Sequence, residues 1–551
     1  MTTSPVKGRG ESRRPVRSFA SHTPKWQRFQ NKMVRSQDGN SSGSKPKNSS
    51  LSSVKYSDKE IVSYQRQYSH VYSYRLAALK EGCKKALEKL PPSRSSCKSV
   101  NRILELREDQ LSNVVGTIIV ESMNGNSDDN YYNDNPGEDR KLHPDAVCRS
   151  HDQLFLEDES GRVALRFVVG HESNDGGGEG DDASPGTTTF AYEYCTGAVV
   201  GVRGSVDAMG VMHVRRIVDP VLAPPATPCG GDDDYDESTS SPHLLLVSSL
   251  LCGDPTVGSL PRELLVSYLQ GHFGETASRV ARIVVAGSGP GSVDPAMGLR
   301  EFDLWGLEVT RTAGIPLDIL PSATDPTTRN WPQRPLHSSL LPHTLRVAGN
   351  HNNNSGGGCG TQNIPMARMT PNPYEASIGN QVVLGTDGLN VRDLKKYVLK
   401  PPPSDTPQAT TSDKEIDSDQ PPSPQLLTEL EALEQTLRWA HICPTGPNSP
   451  DIGMVPSDDP MVMSRGAPNV YFCGNCEEGF ATKLLQHGSS SNNNDDASKT
   501  RLVCIPKFSE TGEVVLVNLK TLEVEVLRFA AGCDGGTDPS DGGGDGSVDV
   551  A

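Results

Sequence analysis

The sequence predicts an α+β / α/β chain with two folded units. A small OB-type β-barrel comes first, then a larger domain of parallel strands and helices, with disordered tails and acidic loop inserts. Three observations carry this. About five short β-type runs fall within roughly 120 residues ahead of Pro220. From His243 onward, continuous apolar runs alternate with helical ones, which implies buried, largely parallel strands. Hydrophobic residues make up only 34% of the 551 residues and aromatics 5%, with 53 Gly and 42 Pro, so much of the length cannot be core.

In chain order, residues 1–60 read as a disordered basic arm, with thirteen Lys/Arg against four Asp/Glu in a chain of net charge −16. Such an arm is either a weak nucleic-acid contact or nuclear-import signal, or a solvated tail. Residues 61–95 form a helical segment. Tyr68, Val71, Tyr72 and Leu76 recur at helical steps, and Pro91-Pro92 ends it. Residues 96–235 are the barrel: NVVGTIIVESM, the two runs of LFLEDESGRVALRFVV about a Glu-Ser-Gly turn, and TGAVVGVRGSVDAMGVMHVRRIVDP. Few strand aromatics (Phe155, Phe167) and mixed charge favour a packing barrel over a single-strand reader.

Residues 240–530 form the α/β domain. HLLLVSS and RIVVAGSG flank a helix that carries Leu264, Leu265, Tyr268 and Leu269 on one face. PLDILPS, QVVLGTD, NVYFCGN and RLVCIPKF follow, then a hairpin-like VVLVNLKTLEVEVLRF. A second helix sets Leu426, Leu430, Leu433 and Leu437 on one stripe, with Glu429 and Glu431 early and Arg438 late to match its dipole. Residues 531–551 are an acidic tail. Inserts such as ESNDGGGEGDDASPG and GGDDDYDESTSSP cannot bury enough apolar area to offset their ordering entropy, so they read as lengthened surface loops.

No apolar stretch approaches the roughly 18–20 residues of a membrane helix, and the N-terminus shows no signal core. The twelve Cys are scattered, apart from Cys473 and Cys476, and read as reduced thiols rather than a disulfide framework. A soluble intracellular protein without a membrane partner is expected.

The segments SYQRQYSHVYSYRL, LFLEDESGRV, HLLLVSSL, RIVVAGS, LPSATDPTTRNWPQRPLH, NPYEASI, LGTDGLNVRDL, HICPTGPNSPD and NVYFCGN resemble, in order and spacing, the small accessory subunits (B-subunits) of eukaryotic DNA polymerase delta. The resemblance runs from about Ser63 to Phe529. The stretch around Arg66, Gln67 and Tyr68 is similar to the delta version rather than the alpha or epsilon ones. It implies an OB barrel beside a metallophosphoesterase-like (calcineurin-like) α/β sandwich domain.

Active members of that phosphoesterase superfamily hold two metals with Asp, Asn and His at strand ends. Their signature is D-x-H, G-D-x-x-D, G-N-H-D/E and G-H-x-H. Against it this chain reads Ser248-Ser249-Leu250, then Gly287-Ser288-Gly289-Pro290-Gly291, then Ser322-Ala323-Thr324-Asp325, and finally Gly474-Asn475-Cys476-Glu477. Hydroxyls and a Leu supply neither the charge nor the ligand strength, so the degenerate positions Ser248, Leu250, Ser288, Thr324, Asp325, Asn475 and Glu477 imply no catalysis, no metal and no cofactor.

The resemblance further implies a nuclear scaffold in DNA replication and repair synthesis. It would link the cysteine-rich C-terminal domain of the polymerase's catalytic subunit to the third subunit, and through it to the sliding clamp and DNA. Candidate partner-binding residues are Arg66, Tyr68 and Tyr72 on the arm, and Asp325 with Asn330 on a loop. The alternatives are an active metal-dependent phosphoesterase or nuclease, a single-strand-binding barrel, or an accessory subunit of polymerase alpha or epsilon. Cys473-Gly-Asn-Cys476 reads as chance, since a zinc ribbon needs a second pair and Cys504 is alone. Asp325 without metal or base reads as a turn-fixing acid. His441 reads as a hydrogen-bonding or dipole-complementing residue. Gly287-Ser-Gly-Pro-Gly lacks the Lys of a phosphate loop.

Overall fold

The computed structural model describes residues 69–92, 96–122, 141–149, 152–167, 191–224, 241–273, 276–348, 366–378, 381–401, 424–450, 459–487, 498–530 and 547–550. The basic arm, nearly all of the acidic inserts and most of the acidic tail lie outside the described residues, as do Arg66 and Tyr68.

Helix α1 (Ser69–Glu88) buries Val71, and its Leu76, Leu79, Cys83 and Leu87 form a helical stripe that packs on Val115 and Val199 of the barrel. Five strands close that barrel: β1 (Ser112–Ser122), β2 (Asp152–Asp158), β3 (Gly161–Phe167), β4 (Val199–Val206) and β5 (Val211–Val218). β1 pairs antiparallel with β2 and β4, β3 runs parallel to β5, and the circuit is β1-β2-β3-β5-β4-β1. Closure removes the free edges, and Ile118, Leu156, Val200, Val202 and Met212 fill the interior.

Next come two stacked sheets. The first contains β6 (His243–Val247), β7 (Val280–Ala286), β8 (Leu317–Leu320) and β9 (Ala367–Met369), mutually parallel in the order β9-β8-β7-β6. The second contains β10 (Tyr374–Ile378), β11 (Gln381–Thr386), β12 (Val470–Cys476), β13 (Ala481–His487) and β14 (Ser498–Pro506), with β11, β12 and β14 parallel. The C-terminal hairpin of β15 (Glu513–Asn518) and β16 (Val524–Phe529) extends the first sheet from β6. Leu244, Leu246, Val284, Val470, Phe472, Val503 and Ile505 form the layer between the sheets, which is why these strands are apolar on both faces. Phe472 lies across from Gly385 of β11, where a Cβ would come within 2.0 Å of its ring.

Helices α2 (Leu260–Leu269) and α3 (Pro295–Leu307) cover the outer face of the first sheet. Helix α4 (Leu389–Leu394) and helix α5 (Glu429–Arg438) cover the second. The leucine stripe expected on α5 needs one correction. Thr428 caps the helix in a capping box with Glu431, so Leu426 precedes it in a two-residue strand with Gln425, and only Leu430, Leu433 and Leu437 lie on the helix. No helix among the described residues is long and apolar enough to cross a membrane.

Candidate functional site

Parallel strands present their C-terminal ends together, so the turns after β6, β7, β8, β11 and β12 meet at one edge of the sandwich. The turns are tight. Ser249, Ser288 and Asn475 hold φ of 55°, 54° and 53°, and Gly287 a φ of 86°. A Cβ on Gly287 would lie 2.8 Å from Ser322 Cβ and 3.0 Å from both Asp387 Cβ and Asn475 Nδ2, so no larger residue fits the centre.

The side chains gathered there bond to each other. Asp325 Oδ2 accepts from Ser322 N at 2.7 Å, Ser288 N at 3.0 Å and Ser322 Oγ at 3.1 Å. The hydroxyls of Ser288, Ser322 and Thr324 link at 2.9–3.3 Å. Ser248 Oγ accepts from Asn475 N at 2.9 Å and donates to Pro506 O at 3.0 Å. Asn475 Nδ2 donates to the carbonyl of Asp387 at 3.0 Å. Two acids are buried in this cluster. Burial raises Asp325 to about 6 despite the hydrogen bonds from Ser322 and Ser288, and burial also raises Asp387.

Not every expected position joins the cluster. Leu250 is fully buried in the apolar layer under α2. Glu477 is exposed and pairs with Lys507 at 3.4 Å. Asn330 is exposed on the loop after Asp325. The structure adds Asp387, Asn372 and Gln333, each fully buried: Asn372 Nδ2 donates to Asp387 Oδ1 at 2.8 Å and to Gln333 Oε1 at 2.6 Å. An acid directly after the apolar run QVVLGT was the available signal for Asp387.

The first turns of α1 build a second polar centre. Tyr72 is partly buried, with the Arg75 guanidinium 5.3 Å from its ring centroid. Arg75 is completely buried. It donates to Asp459 Oδ2 at 2.8 Å, to the barrel carbonyl of Gly197 at 3.0 Å, and to the sandwich-loop carbonyls of Pro444 and Gly446 at 2.8 and 2.7 Å. His441 Nδ1 accepts from Cys443 N at 3.2 Å, which leaves Nε2–H to donate to Asp459 Oδ2 at 2.9 Å. Burial alone would raise the Asp459 carboxyl, but His441 and Arg75 outweigh it and hold it far below the carboxylate range.

The expectation that Cys504 stands alone is corrected. Cys473 on β12 and Cys504 on β14 are direct cross-strand partners, and the sulfurs of Cys473, Cys476 and Cys504 form one buried group. Thirty-one residues apart in sequence, Cys473 and Cys504 meet only through parallel pairing.

Two family models match the chain. One, described as the DNA polymerase delta subunit OB-fold domain, matches residues 67–217. The other, described as the B-subunit of DNA polymerase alpha/epsilon, matches residues 304–482. The chain is similar to the DNA polymerase delta small subunit of Oryza sativa subsp. japonica, 28% identical over 85% of this chain and 94% of that one. It is similar to the small subunit of Saccharomyces cerevisiae at 26% identity, covering 85% and 90%, and to DNA polymerase delta subunit 2 of Drosophila melanogaster at 25%, covering 85% and 94%.

Proposed function

We propose that the chain is a DNA polymerase delta small subunit, acting as a non-catalytic scaffold of the polymerase delta complex in the nucleus. The observation that carries this is the single run of similarity through helix α1, barrel and sandwich to proteins named small subunits. In this reading the barrel and sandwich receive the cysteine-rich C-terminal domain of the catalytic subunit, and a second surface receives the third subunit. In the same reading residues 1–60 are a tail and 61–95, 96–235 and 240–530 are the helical segment, barrel and sandwich domains, while the expected acidic tail 531–551 is corrected at Ser547–Val550, a strand that pairs parallel with Val524–Phe529 in the first sheet. Holding partners together makes their encounters intramolecular and raises effective concentration at the primer end.

The strand-end cluster supports the absence of phosphodiester chemistry. A pair of hard cations needs several carboxylates and imidazoles. Here the donors are two acids, three amides and hydroxyls, with no His among the described residues of the cluster, and most already hydrogen-bond one another. That donor set does not fit a two-metal centre, and Asp325 acts as the acceptor that pins the Ser288 and Ser322 turns.

The test is co-expression of the full chain with the catalytic and third subunits. Co-purification of all three is expected, as is weaker primer extension without this chain that extra enzyme partly restores. A chain that captures neither subunit at low salt under reducing conditions overturns the scaffold. Phosphodiester turnover with excess manganese that co-elutes with the chain and vanishes in Asp325→Ala favours the phosphoesterase instead.

A further inference from the structure

Three free cysteines lie beneath the N-terminal end of α5, fully out of solvent: Cys473, Cys476 and Cys504 are 0%, 3% and 1% exposed. In a regular strand, residues three apart point to opposite faces. Here the β12–β14 register shifts between Cys473 and Cys476, with Asn475 at a φ of 53°, and the shift returns Cys476 to the side of Cys473. The third sulfur comes from the neighbouring strand, in register with Cys473.

The spacing suits a metal. Cys473 Sγ lies 3.4 Å from Cys476 Sγ and 3.7 Å from Cys504 Sγ, and all three sulfurs fall within 4.8 Å of one another. With metal–sulfur bonds of about 2.3 Å, a tetrahedral or trigonal thiolate site has sulfur–sulfur edges of about 3.8–4.0 Å. Apolar packing alone explains buried thiols, since cysteine behaves as a small hydrophobe. It does not require three sulfurs to converge from two strands through a bulge.

We propose that Cys473, Cys476 and Cys504 form a trithiolate site for a thiophilic d10 cation, zinc(II) or copper(I). Binding is a substitution without redox change: three S–H protons leave to solvent as three metal–sulfur bonds form. Soft thiolates select these ions over magnesium or manganese. Zinc leaves one net negative charge on the site and copper(I) two, so burial favours zinc. The Arg392 guanidinium, which donates to the Asn475 carbonyl at 3.1 Å, supplies nearby positive charge. Because the sulfurs are covered by α5, the ion enters as the chain folds and then clips β12 to β14. This site is separate from the strand-end cluster of Asp325 and Asp387, and it does not depend on the scaffold reading.

The experiment measures zinc and copper by mass spectrometry in the full chain, purified under reducing conditions without chelators from cells supplied with both metals. One ion per chain is expected, released when a mercurial reagent titrates the thiols, and its identity separates zinc from copper. Refolding with cobalt(II) should give an intense near-ultraviolet thiolate-to-cobalt band. Cys504→Ser and Cys476→Ser should lose the ion, while Cys83→Ser, altered on the buried face of α1, should keep it. If a variant does not fold, the mercurial titration and cobalt band of the parent chain still decide. No stoichiometric ion and no cobalt–thiolate band, an ion retained in Cys504→Ser, or a Cys473–Cys476 disulfide in the native chain would each overturn the proposal.

Discussion

Replacing Arg75 with Ala tests whether one side chain fixes α1, the barrel and the sandwich to each other. The guanidinium reaches four oxygens on three segments: Asp459, Gly197, and the pair Pro444 and Gly446. Truncation leaves the Asp459 carboxylate buried with only His441 and the Met461 backbone N–H as partners, and it takes a donor from three carbonyls. Breaking a buried ion pair from one side costs about 3–5 kcal/mol. Against a total of about 5–15 kcal/mol for a folded domain, that is a large fraction. Arg75→Lys should lose most of the same energy, because a single ammonium cannot reproduce a planar fork serving four acceptors.

Urea unfolding of the full chain at pH 7.5 reads the loss directly, and a pH series adds a second check. Asp459 is held below its unfolded value, so its stabilising contribution is present above about pH 4 and is lost only as pH falls through the depressed folded value. In Arg75→Ala the acid returns toward the ordinary range, so the gap between parent and variant should narrow as the pH is lowered below about 4. A destabilisation under about 1 kcal/mol, or a gap independent of pH, would refute the argument.

Asp325→Asn should stabilise the chain at pH 7.5 and flatten its stability profile. A carboxyl raised to about 6 favours the folded state below its unfolded value and loses that contribution as pH rises through 6, a difference of about 3 kcal/mol. A profile unchanged between pH 4 and 7 in thermal melts would count against it. Gly385→Ala should destabilise by about 1–3 kcal/mol, since its Cβ would overlap the Phe472 ring that fills the layer between the sheets. Pairing it with Phe472→Leu should recover part of the loss in the same melts, and no recovery would place the strain elsewhere.

The elements were legible where one physical rule governed them. Continuous apolar runs such as RIVVAGSG and NVYFCGN became strands buried between two sheets. The Glu-Ser-Gly turn became the β2–β3 hairpin, where Asp158 Oδ1 accepts from Ser160 N at 2.7 Å. What stayed hidden needed three-dimensional neighbours. Arg75 reads in sequence as one more charged residue on an amphipathic helix, yet its partners are 122 to 384 residues away. Cys504 on β14 and Asp387 just past the end of β11 look ordinary until parallel pairing sets them beside Cys473 and Asn475. The boundary of α5 slipped because Leu426 continues the leucine spacing across the Thr428 cap, where periodicity and capping disagree and capping wins.

In the scaffold reading, the hydrogen bonds of the strand-end cluster take the place that cations hold in an active phosphoesterase. Carboxylates and imidazoles crowded at one edge repel or require desolvation unless a metal neutralises them, which couples folding to metal supply. Hydroxyls carry both a donor and an acceptor, so Ser248, Ser288, Ser322 and Thr324 satisfy the tight backbone turns and each other at little electrostatic cost. The acid that is kept, Asp325, faces two backbone N–H groups, the arrangement that makes one buried carboxyl useful as a turn fastener. In the proposed scaffold reading, these turns, pinned by hydrogen bonds, give the sandwich a fixed edge for a surface that positions other proteins.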